Sequence, residues 1–194
     1  MKDELLNMKR NALMLGLCGE YRSKWDGAGS DRDLMDIALD VNGVEFICEG
    51  VTDGWGLTPE YIRNRFGGYV NGRYVRSKDG YTSEMLCCFD ESEFRQRSTI
   101  TTIIACNTEV IVPRCCISKI YVCGGSKLTL LCDGICELYV YGRDNEIKIH
   151  GCGRVNRTDV EKKKWVNENK NSDEDNGNNE KRIRSVQFYR RAGE

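Results

Sequence analysis

The spacing of apolar residues changes period part-way along the chain. Over the first seventy or so residues they recur at three and four, the spacing of one helix face. Met14, Leu17, Cys18, Tyr21 and Trp25 share such a face, and the glycine-rich stretch 26–30 interrupts it. Ser30 with Asp33 three positions on predicts a capped helix start, and Leu34, Ile37, Ala38 and Val41 supply its buried stripe. Asn42-Gly43 is expected to end that helix. Thr58 followed by Pro59 marks another start, with Ile62 and Phe66 pointing inward. Between these two helices Val44, Phe46 and Cys48 alternate, which predicts a short strand.

Beyond residue 72 the period falls to two. The run "YVRSKDGYTSEMLCCF" predicts a hairpin that turns at Lys78-Asp79-Gly80 and whose second strand reaches Phe89. "DESEFRQRS" follows as a charged connector. From Ser98 a repeat begins: Thr102-Ile103-Ile104 aligns with Ile120-Tyr121-Val122 and with Leu138-Tyr139-Val140 in steps of 18 residues. Val110-Ile111-Val112 aligns with Leu128-Thr129-Leu130 at the same step, and Ile147-Lys148-Ile149 arrives one residue late. So short a period is the mark of a solenoid whose coils bury their inward residues on their neighbours. The inward columns are expected to be Ile104, Val122, Val140 and Val112, Leu130, Ile149. One outward face carries Ile103, Tyr121 and Tyr139, with Ala105, Cys123 and Tyr141 beside it. An apolar outer face implies a cover, either the helical part of the same chain or another protein.

The expected fold is α+β: an N-terminal helical cap and β-hairpin packed on a short C-terminal β-solenoid of about three 18-residue coils. Residues 1–97 form the helical region with its hairpin, 98–155 the solenoid, and 156–194 a polar tail. The tail holds "EKKKWVNENKNSDEDNGNNEKR", too poor in apolar residues to offset its ordering entropy, so disorder is expected there. "IRSVQFYRR" near its end is a candidate terminal strand.

Composition narrows the function classes. The charges nearly cancel, 29 Lys and Arg against 30 Asp and Glu, without the basic excess expected of a nucleic-acid or anionic-membrane partner. No apolar run is long enough for a transmembrane helix. "ALMLGLCG" is too short, and lacks the cleavage site, for a signal peptide. A cytoplasmic location is expected. Eleven cysteines is an odd count with spacings unlike a secreted scaffold. Free thiols acting as small buried hydrophobes fit them best.

No motif names a reaction. Cys132 and Cys136 have the one metal-like spacing, and Cys115, Cys116 and Cys152 recur near the same corner of successive coils. Stacking of equivalent positions produces the same clustering, so neither metal nor cofactor is expected, with a thiolate site as the alternative. His150, the single histidine, lies near Cys152 but has no recognisable orienting partner, and reads as an exposed turn residue. The acidic stretch "DGAGSDRD" lacks the ordered ligands of a calcium loop. Neither phosphate-binding nor dinucleotide glycine motifs occur. Trp55 precedes the Thr58 cap as a hydrophobic staple rather than as an anion site. Arg73, Arg76, Lys78, Arg95 and Arg97, interleaved with Tyr69, Tyr74 and Tyr81, make the most basic neighbourhood. Glu84, Asp90, Glu91 and Glu93 dilute it, leaving a solvated hairpin face rather than a single-strand-binding groove.

The segments "GLCGEYRSKW", "DLMDIALDVNGVEF", "GWGLTPEYI", "NGRYVR" and "GYTSEM" resemble a group of small uncharacterised proteins carried on phage-like or other mobile elements of gut Bacteroidota. The resemblance spans roughly residues 13–150. It implies an intracellular accessory role, acting on a host component, and brings no activity or site residue. Two classes of function stay open. One is a non-enzymatic interaction module that binds a protein or a copy of itself, through the face of Ile103, Tyr121, Cys123, Tyr139 and Tyr141 or through the solenoid's open end. The other is a small hydrolase or transferase at the helix–solenoid junction, with Trp55, Tyr61, Arg63 and Glu84 as its candidate residues.

Overall fold

A computed structural model describes residues 3–160, apart from positions 15, 56, 73, 77–79, 91–92 and 97. The expected disorder of the tail beyond 160, its candidate terminal strand, and the hairpin positions Lys78 and Asp79 lie outside the described residues.

Five helices come first: α1 (Asp3–Met14), α2 (Gly19–Asp26), α3 (Asp31–Ala38), α4 (Gly43–Thr52) and α5 (Pro59–Phe66). The face drawn from Met14 to Trp25 is not one helix. Gly16 sits at φ 91° and donates to the Leu13 carbonyl, while the Leu17 N–H reaches back to the Ala12 carbonyl at 2.8 Å. That pair of bonds is the glycine-centred C-terminal cap, which only a left-handed residue makes cheaply. The two caps read from sequence are present: the Ser30 hydroxyl accepts from the Asp33 N–H, and Thr58 accepts from Tyr61, with Pro59 in the first turn.

The strand expected at Val44, Phe46 and Cys48 is instead α4. Val44, Ile47 and Cys48 are buried and Val51 packs beside them, a helical spacing that the alternation concealed. Asn42-Gly43 therefore opens a helix rather than closing one. Gly43 is packed so closely that a Cβ there would stand 2.1 Å from the Ile37 carbonyl oxygen.

After a short 3-10 turn (Gly67–Tyr69), the described residues form ten strands: β1 (Tyr74–Arg76), β2 (Thr82–Cys87), β3 (Phe94–Arg95), β4 (Ile100–Ile104), β5 (Asn107–Val112), β6 (Ile117–Cys123), β7 (Lys127–Cys132), β8 (Ile135–Tyr141), β9 (Glu146–His150) and β10 (Arg154–Val160). They make a six-stranded sheet ordered β1-β2-β4-β6-β8-β10 and a four-stranded sheet ordered β3-β5-β7-β9. All pairings are parallel except the β1–β2 hairpin. This is a β-solenoid of about four turns. It has one turn more than the repeat implied, because β2 and the "charged connector" strand β3 form its first rung. It also reaches Val160, five residues past the boundary drawn at 155.

The step between rungs is not uniform. Ile104 pairs with Cys123, Val110 with Leu130, Val122 with Val140, and Leu130 with Ile149: steps of 19, 20, 18 and 19. The turn on one side lengthens from residues 105–106 to 124–126 to 142–145, while the opposite corner runs from 113–116 to 133–134 to 151–153. A one-residue slip exchanges the two faces of a strand. The inward column is therefore Ile103, Val122 and Val140, and Ile104 faces outward beside Cys123. Ala105 leaves the face altogether and enters the turn at φ 50°. In the other sheet Leu130 and Ile149 stack on Val110, while Val112 stacks on Cys132.

Two buried clusters follow from this geometry. Leu86, Ile103, Ile120, Val122, Leu128, Leu130, Leu138 and Val140 fill the space between the sheets. Met85, Cys87, Ile104, Tyr121, Cys123 and Tyr141, on the outside of the larger sheet, pack against Val44, Ile47, Cys48, Ile62 and Phe66 of the helices.

Candidate functional site

The helices cover the tyrosine face. Tyr121 is 1 % exposed and stacks on Tyr139, and Tyr141 is buried beside it. Burial pushes both the Tyr121 and the Tyr141 phenols well above their usual range. The Cys123 thiol hydrogen-bonds Cys48 of α4, and this contact, with its burial, raises its pKa. Ile103 lies on the other side of the sheet, in the core between the sheets. The five residues read as an interaction face thus offer a partner little surface: Tyr121, Cys123 and Tyr141 are buried against the helices, Tyr139 is half-buried beside them, and Ile103 is inside the solenoid.

The enzyme candidates do not converge. Trp55 is buried in the helical cap against Phe46, and its carbonyl accepts from Asn11. Tyr61 receives a hydrogen bond from Arg65, which also holds Asp31 at 2.7 Å; Arg63 is exposed. Asp33, from the acidic stretch, is spent on capping Ser30 and Gly29. Glu84 alone faces the solenoid interior. His150 ends β9 exposed, opposite Leu131.

The corner cysteines separate by depth. Cys132 and Cys136 join the core between the sheets, where burial pushes the Cys136 thiol up to about 12. Cys115, Cys116 and Cys152 are exposed. The Cys152 thiol donates to Asp133, whose carboxylate raises its pKa. Among the described residues no three His, Cys, Asp or Glu side chains assemble as a metal-holding group.

The residues that do converge lie where Gln96, Ser98 and Thr99 meet the corner 113–116. Along β2 and β4 the inward positions begin polar and turn apolar: Glu84 then Leu86, Thr101 then Ile103. Thr82 and Thr99 continue the polar column one position nearer the corner, with hydroxyls 3.4 Å apart. Glu84 is 2 % exposed; its Oε1 accepts from Ser98 at 2.5 Å and from Thr101 at 3.2 Å. In front of this group is a cavity of about 180 Å³, lined by Gln96, Ser98, Thr99, Pro113, Cys116, Ile117 and Ser118. Gln96 is 7 % exposed, held by its N–H on the Ile111 carbonyl. Both ends of its amide side chain, Nε2 and Oε1, lack a hydrogen-bond partner among the described residues. An unsatisfied buried amide is costly and rare in native interiors.

Beside the cavity the corner is apolar and open. Ile117 and Ile135 pair directly across β6 and β8, 68 % and 43 % exposed, with Cys115 and Cys116 next to them. The corners themselves stack tightly: a Cβ on Gly134 would meet the Cys116 carbonyl oxygen at 2.4 Å. Ile135 faces outward at this corner, and Cys136 beside it takes the inward position.

Sequence reasoning reached Glu84 but missed Gln96, Ser98 and the exposed isoleucines. The available signal was Phe94-x-Gln96: a polar residue at the inward position two after an apolar one, inside a stretch dominated by charge. No family model, curated protein or solved structure matches this chain.

Proposed function

We propose that the chain is a non-enzymatic recognition module that receives a polypeptide partner along the solenoid corner, with Ile117 and Ile135 as its apolar anchors and the Gln96 cavity beside them. The observation that carries this is the side-by-side placement of two solvent-facing isoleucines and a preformed polar cavity, while the tyrosine face is covered by the chain's own helices. Anchors of this size are worth about 1.5–3 kcal/mol each when buried, enough together to govern affinity. The resemblance to mobile-element proteins would make the partner a host protein whose action is blocked by the complex.

The test is site-directed photocrosslinking from position 117 and, as a control, from Tyr74, which is exposed on the hairpin. The adduct is identified by mass spectrometry, and the purified partner is then titrated against the full chain. A discrete adduct at 117 alone, with at least tenfold weaker binding by the Ile117→Asp/Ile135→Asp variant, supports the reading. Equal adducts at both positions, or unchanged affinity in the variant, contradicts it.

A hydrolytic reading has one observation behind it, the Ser98 hydroxyl aimed at Glu84 across 2.5 Å at the cavity wall. It expects esterase turnover of a small activated ester that Ser98→Ala abolishes. No turnover above buffer removes that reading.

A further inference from the structure

We infer that the segment received at the corner is acidic and aliphatic: an extended stretch of the partner whose apolar side chains have a carboxylate on either side. This rests on the corner as the recognition surface and names the chemistry of what lies along it. The turns 96–99, 113–116, 133–134 and 151–153 stack into a ridge, tied by Ile135 N–H to Cys116 and Arg154 N–H to Gly134. A row of outward-facing residues runs along each side of it. On the larger sheet the row is Ile117, Ile135 and Arg154, each paired with the next. On the smaller sheet it is Arg95, Ile111, Leu131 and His150. Val110, Val112, Leu130 and Cys132 alternate with that second row and point inward, so Ile111 and Leu131 face out, half-buried. Four aliphatic side chains thus straddle the ridge, with an arginine closing each row at opposite ends.

The charges select the partner. Arg95, Arg154 and Arg114, in the turn before Ile117, are exposed, and none has a carboxylate partner among the described residues. Arg154 turns its Nε to the Asn156 amide oxygen at 3.3 Å. The acids on the same surface are engaged: Glu137 pairs with Lys119 at 3.3 Å and accepts from the Tyr139 hydroxyl, and Asp133 accepts the Cys152 N–H at 3.2 Å. Guanidinium groups around an apolar centre attract carboxylates and repel ammonium groups.

The spacing sets the form of the ligand. Arg95 on β3 and Arg154 on β10 stand four rungs apart, about 19 Å at about 4.8 Å per strand, too far for one phosphate to meet both. An extended segment advances about 3.3 Å per residue and turns alternate side chains to one face, so about six steps carry a carboxylate to each end and two aliphatic side chains between them. The turns of the ridge are two to four residues long. So narrow a ridge gives a flat bilayer a line of contact, and gives a strand laid along it contact over its whole length.

The probe is the capped heptapeptide Glu-Ala-Leu-Ala-Leu-Ala-Glu, titrated into the full chain by NMR beside Lys-Ala-Leu-Ala-Leu-Ala-Lys. The expected result is saturable shifts confined to the ridge and its two rows, with a dissociation constant on the order of 1 mM. The lysine peptide should bind about tenfold more weakly, and added salt should weaken the acidic one. Arg95→Glu/Arg114→Glu/Arg154→Glu, all at exposed positions, should melt as wild type and reverse the ranking. Equal affinities, a preference for the lysine peptide, or no saturation at the ridge would each overturn the inference. So would tighter binding to vesicles of equal parts phosphatidylserine and phosphatidylcholine, or a dimer in sedimentation that Ile117→Asp/Ile135→Asp dissociates, which would make a membrane or a second copy the occupant. Equal binding of both peptides beside an intact position-117 adduct rejects the acidic segment and leaves the corner standing. Loss of that adduct, or indifference of the partner to Ile117→Asp/Ile135→Asp, rejects the corner itself.

Discussion

Tyr121 lies ring on ring with Tyr139, centroids 4.9 Å apart and planes 14° from parallel, on the sheet face that α4 covers. Met85, Thr102, Tyr121 and Tyr139 form a single column across the sheet. Truncating Tyr121 to alanine removes a fully buried ring and should cost about 3–5 kcal/mol. Its neighbour Thr102 is buried with an unpartnered hydroxyl. Thr102→Val keeps the shape and should gain about 1 kcal/mol. Urea unfolding of the two variants checks both signs; a destabilised Thr102→Val would reveal a partner for that hydroxyl.

Gly43 gives a prediction that runs against helix propensity. It stands at the first position of α4, where alanine is ordinarily the better helix former by about 1 kcal/mol. A Cβ there meets the Ile37 carbonyl oxygen at 2.1 Å, with Ala38 backbone atoms within 3.1 Å. Gly43→Ala should therefore destabilise the chain by about 1–3 kcal/mol. Thermal melting of Gly43→Ala beside Gly67→Ala, where a Cβ meets nothing, separates the clash from any general effect of losing glycine.

The helical cap shows what a sequence displays and what it hides. Ser30 and Thr58 were legible as helix starts because a cap is local chemistry: a hydroxyl and an N–H three residues away. The solenoid was legible too, since stacked rungs must repeat their apolar positions. Its register was not, because it depends on turn lengths that vary from two to four residues (105–106, 124–126 and 142–145). Ile103 and Ile104 exchanged faces on that account. In α4, Val44, Phe46 and Cys48 satisfy a strand pattern and Val44, Ile47 and Cys48 a helical one. The helices pack that second stripe on the sheet, and tertiary contact decides between the two. The Gln96 cavity needs three rungs to be stacked before it exists, so no window of sequence holds it.

Alkaline pH should weaken the fold in two stages. The Cys87, Cys106, Cys123 and Cys136 thiols are buried and raised above their ordinary 9.0, mainly by loss of solvation, with the Cys48 hydrogen bond leading for Cys123. Cys106 and Cys136 each reach about 12. Tyr21, Tyr121 and Tyr141 are raised above 10.0 by burial, Tyr21 also through its hydrogen bond to Asp40. Above those ordinary values the unfolded chain has released protons that the native chain still holds, so stability falls as pH rises. Each such group removes about 1.4 kcal/mol per pH unit. Unfolding under reducing conditions should show a loss beginning near pH 9 and steepening past 10, and Tyr121→Phe should shallow only the second stage. A stability flat from pH 8 to 11 would mean these groups are solvated in the folded chain.

The most direct measurement is thiol footprinting of the complex, because the corner carries its own reporters. Cys115 and Cys116 directly precede Ile117 and are exposed, Cys152 lies two corners further on, and Cys18 is exposed among the helices. With the partner identified by crosslinking, alkylation rates are compared by mass spectrometry for the free and the bound chain. Recognition at the corner predicts strong protection of Cys115 and Cys116 on binding, with Cys18 labelled at its free rate. Protection of Cys18 with Cys115 and Cys116 still fully reactive would place the partner on the helices and contradict it.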